Sequence, residues 1–387
     1  MAPSRRTLGA MVTGLLGERV RRDVEVVARA GLDVETFAEE AIASVGRVLR
    51  FDAACLATTD PATGLLTGAR KYGGLVGRNE HDQEFGLVEY GQDDPTAFTV
   101  LADRHVAAAG VHLLTRGDVD ASPRMDQFMR PHFGFRDELR LVFTDDRGML
   151  WGGLALFRED DRAFDADEVD FAAGLAHVFA LGMRAGLLAT LAAGRSGAIG
   201  GPAVLVVDAQ DRVVRTSLGA EGWLAELAQG PASGGPLAPV ASLVGAARRF
   251  ARGETSVVPR SRVRAASGMW LVMHATPLSG PDGVSGEVVV TIEEARPPEI
   301  VPLVVAAFGL TPRERDVTQL VLQGLDTREI AAAVHLSAYT VQDHLKSVFE
   351  KAGVRSRREL VARIYFDQYV PRMGDEIGAS GWFGPAG

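Results

Sequence analysis

A joint only two residues long constrains this chain more than any other feature of its sequence. Three helix starts between residues 310 and 371 carry capping boxes: Thr311-Pro312-Arg313-Glu314, Asp326-Thr327-Arg328-Glu329 and Ser356-Arg357-Arg358-Glu359. A fourth helix starts at Ser337, and Leu336-Ser337 alone joins it to the helix before. So short a connection permits only a sharp helical corner, the arrangement of a helix-turn-helix. In the helix after the corner Val341, Leu345, Val348 and Ala352 recur at helical spacing and must face the other helices. Tyr339, Gln342, Asp343, Lys346 and Glu350 then occupy the opposite face.

That face carries chemistry suited to base edges. Gln342 can pair with adenine, Asp343 can accept from cytosine N4, and Lys346 can donate to guanine. Thr340, His344, Lys351, Arg355 and Arg357 are the candidate phosphate contacts. The 387-residue chain has a net charge of -9, so any polyanion site must be local. Lys346, Lys351, Arg355, Arg357 and Arg358 fall together around the end of the third helix, enough for one phosphate-gripping patch. On spacing alone, a four-helix bundle with a solvated charged face remains the alternative.

The landmarks Leu310-Thr311-Pro312-Arg313-Glu314-Arg315, Glu329-Ile330-Ala331, Thr340-Val341, His344-Leu345 and Lys351-Ala352-Gly353-Val354 resemble the LuxR/FixJ-type helix-turn-helix. The resemblance implies that the helix beginning at Ser337 reads the major groove and that the last helix makes a DNA-bound dimer contact. Gln342-Asp343 stands where many members carry Lys or Arg, so the operator should differ from theirs. The expected partners are promoter DNA, a second copy of the chain, a small-molecule effector, and RNA polymerase if the protein activates.

Upstream the period changes from helical to alternating. The expected fold class is multi-domain α+β: a GAF-like sensor domain over residues 1–192, a linker over 193–201 and a PAS-like domain over 202–296. A second linker over 297–309, the all-α four-helix helix-turn-helix domain over 310–371 and a flexible tail over 372–387 complete it. Helices are expected in 20–50, hairpins around Thr59-Asp60-Pro61-Ala62-Thr63-Gly64 and Asp145-Asp146-Arg147-Gly148, and one long helix from Asp165 to about Leu191. The order of elements resembles GAF in the first domain and PAS in the second. A receiver domain's acidic pair and late Lys are missing, as is a flavin-binding cysteine motif.

The composition assigns no catalysis. There is no G-x-S-x-G elbow, P-loop or H-E-x-x-H helix, so the chain reads as a non-enzyme without cofactor or metal. His81, His105, His112, His132 and His177 form no ligand pair at helical spacing and read as solvated or hydrogen-bonded. The single cysteine, Cys55, sits in an apolar run and reads as a core residue in a reducing cytoplasm. No uninterrupted apolar stretch reaches membrane-spanning length, so no membrane association is expected.

Two expectations concern the signal. Residues 75–135 are the least regular stretch, and Phe85, Tyr90, Phe98, Phe128, Phe133 and Phe135 scattered through it suggest a ligand pocket, against the plainer reading that they complete a core. The helix from Asp165 carries more apolar positions than one stripe needs. A second copy of the chain or the second domain should cover the surplus.

Overall fold

The computed structural model describes residues 5–189, 201–228, 234–280 and 283–366, together with the pairs 376–377 and 383–384. Most of the 193–201 linker lies outside these residues. So does most of the 372–387 tail, within which Glu376–Ile377 and Phe383–Gly384 pair as a short antiparallel ladder.

Chain order opens with α1 (Arg5–Arg29) and α2 (Val34–Val45), separated at Gly31-Leu32-Asp33, with Asp33 capping Thr36 N–H at 3.0 Å. Strands β1 (Ala53–Thr59), β2 (Leu66–Gly73), β3 (Ala108–Gly110), β4 (Asp137–Thr144) and β5 (Leu150–Arg158) form one antiparallel sheet in the order β2-β1-β5-β4-β3. The stretch read as irregular is largely helical. It holds α3 (Asp82–Gly91), α4 (Phe98–Asp103), α5 (Val111–Leu114) and a π-helix over Met125–Phe133.

Alternation along the strands sends side chains to two cores. Ala54, Leu56, Leu139, Leu141 and Leu156 pack under α1, α2 and the later helix Ala176–Ala189, while Ala53, Ala57, Val142 and Phe157 pack with Phe98, Phe128 and Phe133 on the other face. The central strand β5 is buried along its whole length because both faces are covered.

The expected single long helix is two, α6 (Ala166–Ala173) and α7 (Ala176–Ala189), interrupted at Gly174-Leu175, with the capping box Asp165/Glu168 in place. Together they are long and apolar enough to cross a bilayer by composition, yet half of the span is buried inside the protein. The surplus apolar surface of α7 is taken up within the chain: Leu175, Phe179 and Met183 are buried, and Val178, Leu181, Leu187 and Leu188 pack against the same core. Because α1, α2 and the helix Pro297–Ala307 supply the cover, a second copy is not needed for it.

The second unit repeats the strand order of the first: β6 (Ala203–Val207), β7 (Val213–Thr216), β8 (Arg260–Arg264), β9 (Trp270–Gly280) and β10 (Gly283–Glu294) run β7-β6-β10-β9-β8. Helices α8 (Ala220–Leu227) and α9 (Leu237–Ala251) complete it. Helix α9 lies against α3 of the first unit, with Gly86 at the crossing. A Cβ there would stand 2.8 Å from the Ala238 carbonyl oxygen, so the approach depends on having none.

Residues 297–309, read as a linker, form helix α10 (Pro297–Ala307) instead. Pro297 and Pro298 occupy its first turn, where no N–H is needed, and Glu299 accepts the Arg296 N–H at 2.7 Å. Ile300, Leu303 and Val304 are buried. Four helices follow: α11 (Pro312–Leu322), α12 (Thr327–Ala333), α13 (Ala338–Ala352) and α14 (Arg357–Val361), the last continuing as a π-turn over Ala362–Phe366.

Candidate nucleic-acid interface

The corner between α12 and α13 forms, but it spans four residues, Val334 to Ser337, and not the two expected, because α12 already ends at Ala333. His335 takes a positive φ of 54°, the Leu336 N–H returns to Ala331 O at 3.0 Å, and the Ser337 hydroxyl caps the Thr340 N–H at 3.1 Å. Asp326 accepts from both Arg328 and Glu329 N–H at 2.7 and 2.9 Å, fixing the start of α12. Val341, Leu345, Val348 and Ala352 are buried against Val317, Val321 and Ile330. This inner stripe turns the other face of α13 outward.

Gln342, Asp343 and Lys346 are exposed on that face, and Tyr339 beside them is 74% exposed. The side chains of Gln342, Asp343, Lys346, Arg355 and Arg358 make no hydrogen bond or ion pair among the described residues. Thr340 is half-buried, its hydroxyl 2.8 Å from that of Ser337, and His344 is also half-buried.

Two of the five expected phosphate contacts are engaged elsewhere. Lys351 donates to Glu314 Oε2 at 2.6 Å, and Arg357 donates to Leu325 O at 2.6 Å and to the Thr327 hydroxyl at 3.0 Å. Both tie α13 or α14 to an earlier helix, and a charge already paired has less to offer a phosphate. Sequence spacing placed these cations near the helix end correctly in one dimension but carried no sign of Glu314 opposite.

Glu314 is the polar hub of the module. It is 4% exposed, accepts the Thr311 N–H at 2.7 Å and the Ser347 hydroxyl at 2.7 Å, and binds Lys351. Burial pushes its carboxyl up, but the bonds from Lys351, Ser347 and Thr311 outweigh this and hold it at about 2. The capping glutamate of α11 is thus also the staple onto α13.

Residues 309–364 match the family described as bacterial regulatory proteins, luxR family. Over 66 residues the chain is 38% identical to the spore germination protein GerE of Bacillus subtilis, covering 17% of this chain and 81% of that one. The chain belongs to the luxR family. A putative HTH-type transcriptional regulator of Mycobacterium tuberculosis is 50% identical over 53 residues, 14% of this chain. The match spans only 6% of that relative's length, so the likeness is confined to the terminal module. Among solved structures, the Vibrio cholerae VqmA dimer, titled as a LuxR-type receptor, is 18% identical over 45% of this chain and 84% of its own, with a TM-score of 0.18.

The expected aromatic pocket is nearly filled in this luxR-family chain. Phe85, Phe98, Phe128 and Phe133 surround about 40 Å3, little more than a water's space, and Tyr90 packs apart with its hydroxyl on Gly64 O at 3.1 Å. Phe135 stacks on Phe157 at 4.6 Å, so the rings serve as core. Cys55 sits at the same margin, and burial pushes its thiol up to about 12. A cavity of about 660 Å3 lies instead where α2, β1 and β2 of the first unit meet Arg262, Arg264 and Trp270 of the second and Leu303 of α10.

Asp145 and Asp146 stand at a hairpin turn, where Asp145 accepts the Arg147 and Met149 N–H groups at 2.9 and 3.1 Å. Of the histidines expected to be solvated or hydrogen-bonded, His81 is hydrogen-bonded to Glu84, and two that are far apart in sequence meet. His81 and His132 lie side by side with ring centroids 3.9 Å apart, and Glu84 touches both.

Proposed function

We propose that this chain is a one-component transcription regulator that binds promoter DNA as a dimer through α13. The observation that carries the reading is the outward face of Gln342, Asp343 and Lys346, base-reading side chains presented by a capped helix in a luxR-family corner. Thr340, His344 and Arg355 serve as backbone contacts, with Arg358 taking the place of the paired Lys351 and Arg357.

Salt-titrated binding to genomic fragments tests it. Affinity should fall steeply with salt and favour one sequence, whereas a scaffold docking on protein would show neither. Gln342→Ala or Asp343→Ala should relax preference at one base pair by about 1 to 3 kcal/mol. Lys346→Ala should also relax sequence preference, since Lys346 is placed on base edges. Arg355→Ala should weaken all sequences alike and lower the salt slope by about one, while Lys351→Met should change stability and leave that slope alone.

Upstream, a GAF-like first unit and a PAS-like second unit act as the receiving end. The cavity between them is of metabolite size. Trp270 lines it with an indole N–H that is buried and has no hydrogen-bond partner among the described residues, and Met183, Leu187 and Leu303 add apolar wall. With Glu39, Thr58, Arg70 and Arg264 also on the wall, the cavity suits a molecule with a flat apolar part and polar substituents, one of them an acceptor for the indole. Leu303 belongs to the helix leading into the DNA-binding module, so an occupant would press on the element that positions α11 to α14. A metabolite screen by thermal shift on the full chain should find a stabiliser that Leu187→Trp, which fills the cavity, no longer responds to.

A further inference from the structure

We propose that His81, Glu84 and His132 form a binding site for a divalent transition-metal ion that clamps α3 to the π-helix Met125–Phe133. His81 immediately precedes α3, and Glu84 follows it by one turn. His132 is the penultimate residue of the π-helix. The Glu84 carboxylate oxygen Oε2 lies 3.0 Å from His81 Nδ1 and 3.4 Å from His132 Nε2, and the three ligand atoms all fall within 4.8 Å of one another.

Ligands bound tetrahedrally at about 2.0 to 2.1 Å stand about 3.4 Å from each other, so the two separations to Glu84 already fit a small ion. The third is met by turning one imidazole about its Cβ–Cγ bond until both ring nitrogens face a common centre. The scaffold for this is in place without the ion. The edges of Phe128 and Phe133 flank His81 at 6.3 and 6.0 Å, nearly perpendicular to it, and Arg78 donates to His132 O at 2.8 Å. The loop ahead of His81 is therefore already fastened to the π-helix end.

Two imidazole nitrogens and one carboxylate select zinc and its neighbours over magnesium and calcium, which prefer oxygen throughout. The three side chains are 26%, 54% and 32% exposed, which admits an ion and leaves water to complete its shell. The position gives the ion leverage. One residue beyond His81, Asp82 pairs with Lys71 and accepts the Gly235 N–H of the second unit at 2.6 Å, so the metal would stiffen the end of α3 that holds the two units together.

The test uses the full chain, stripped with EDTA and titrated with Zn2+ against a chromogenic chelator, with Co2+ as the spectroscopic probe. One equivalent should bind at micromolar affinity or tighter, Co2+ should give a visible absorption band, and Zn2+ should raise the melting temperature. His132→Ala and Glu84→Gln should each weaken binding by at least about tenfold, while His177→Ala leaves it unchanged. Glu84 is exposed enough that Glu84→Gln folds even if His132→Ala does not. Absence of Zn2+ binding by the folded wild-type chain, or equal affinity in the folded variants, overturns the site and leaves a plain histidine–carboxylate contact.

Discussion

The two five-stranded sheets share one strand order and differ in what they bury. In the first, Glu89, Arg124, Glu138 and Arg140 are all at or near zero exposure. Arg140 clamps Glu89 with two bonds of 2.9 and 2.8 Å and lies over the Phe98 ring at 3.6 Å, Arg124 pairs with Glu138, and the Phe98 N–H donates to Glu89 at 2.8 Å. Burial pushes the Glu138 carboxyl up against the pull of the two arginines. In the second sheet the inward positions are Leu205, Val207, Leu271, Met273, Val288, Val290 and Ile292. The second interior is specified by volume, the first by partner as well, because a buried charge is tolerated only opposite its counterion.

The largest effect that would break this contrast is Glu89→Ala. It removes both hydrogen bonds to Arg140 and leaves that buried guanidinium only Glu138, 3.8 Å away and already paired with Arg124, so it should cost about 3 to 5 kcal/mol in urea unfolding. A loss no bigger than that of an ordinary core truncation would mean the charges are solvated after all. Next comes Asp60→Ala, which removes the partner of Arg262 across the units. Asp60 receives the Arg262 N–H and Nε at 2.8 Å and Nη2 at 2.5 Å, and both side chains are buried. About 3 kcal/mol should be lost, and calorimetry should resolve two transitions where the wild-type chain shows one.

Acid sharpens the contrast further. Burial raises the Asp94 carboxyl, but Arg124 and bonds from Thr96 and Ser122 bring it down to about 2. A carboxyl lowered on folding stabilises fully above its unfolded value near 4 and loses that contribution as pH falls toward 2. Urea unfolding of the wild type should therefore lose about 2 kcal/mol across that window from this group, and Asp94→Asn should be flatter there. The smallest change belongs to the second sheet: Ile292→Val, with no polar partner to strand, should cost about 0.5 to 1.5 kcal/mol at any pH.

The DNA-facing module was legible because its signals are local. Thr311 with Glu314 and Asp326 with Glu329 satisfy N–H groups three residues away, and the stripe Val341, Leu345, Val348 and Ala352 follows from helix geometry alone. Hairpin β4–β5 was equally plain, since its turn lies between its strands. Other elements depended on distant groups. Helix α9 is buried without a break from Ala238 to Ala247, so its place depends on cover from two units at once. Residues 75–135 looked irregular because their order rests on pairs such as Glu89 with Arg140, 51 positions apart.

Sequence by itself determined which residues start and stop helices, which side of α13 packs inward and hence which side chains remain outside to meet a partner. Only the tertiary structure decided that Lys351 and Arg357 are spent on Glu314, Leu325 and Thr327, that Phe85 and its neighbours fill a core, and that His81 meets His132. The physical reason is range. Caps and periodicity act within a turn or two of backbone, whereas an ion pair, a cavity or a ligand cluster exists only once packing brings separate elements within a few ångströms.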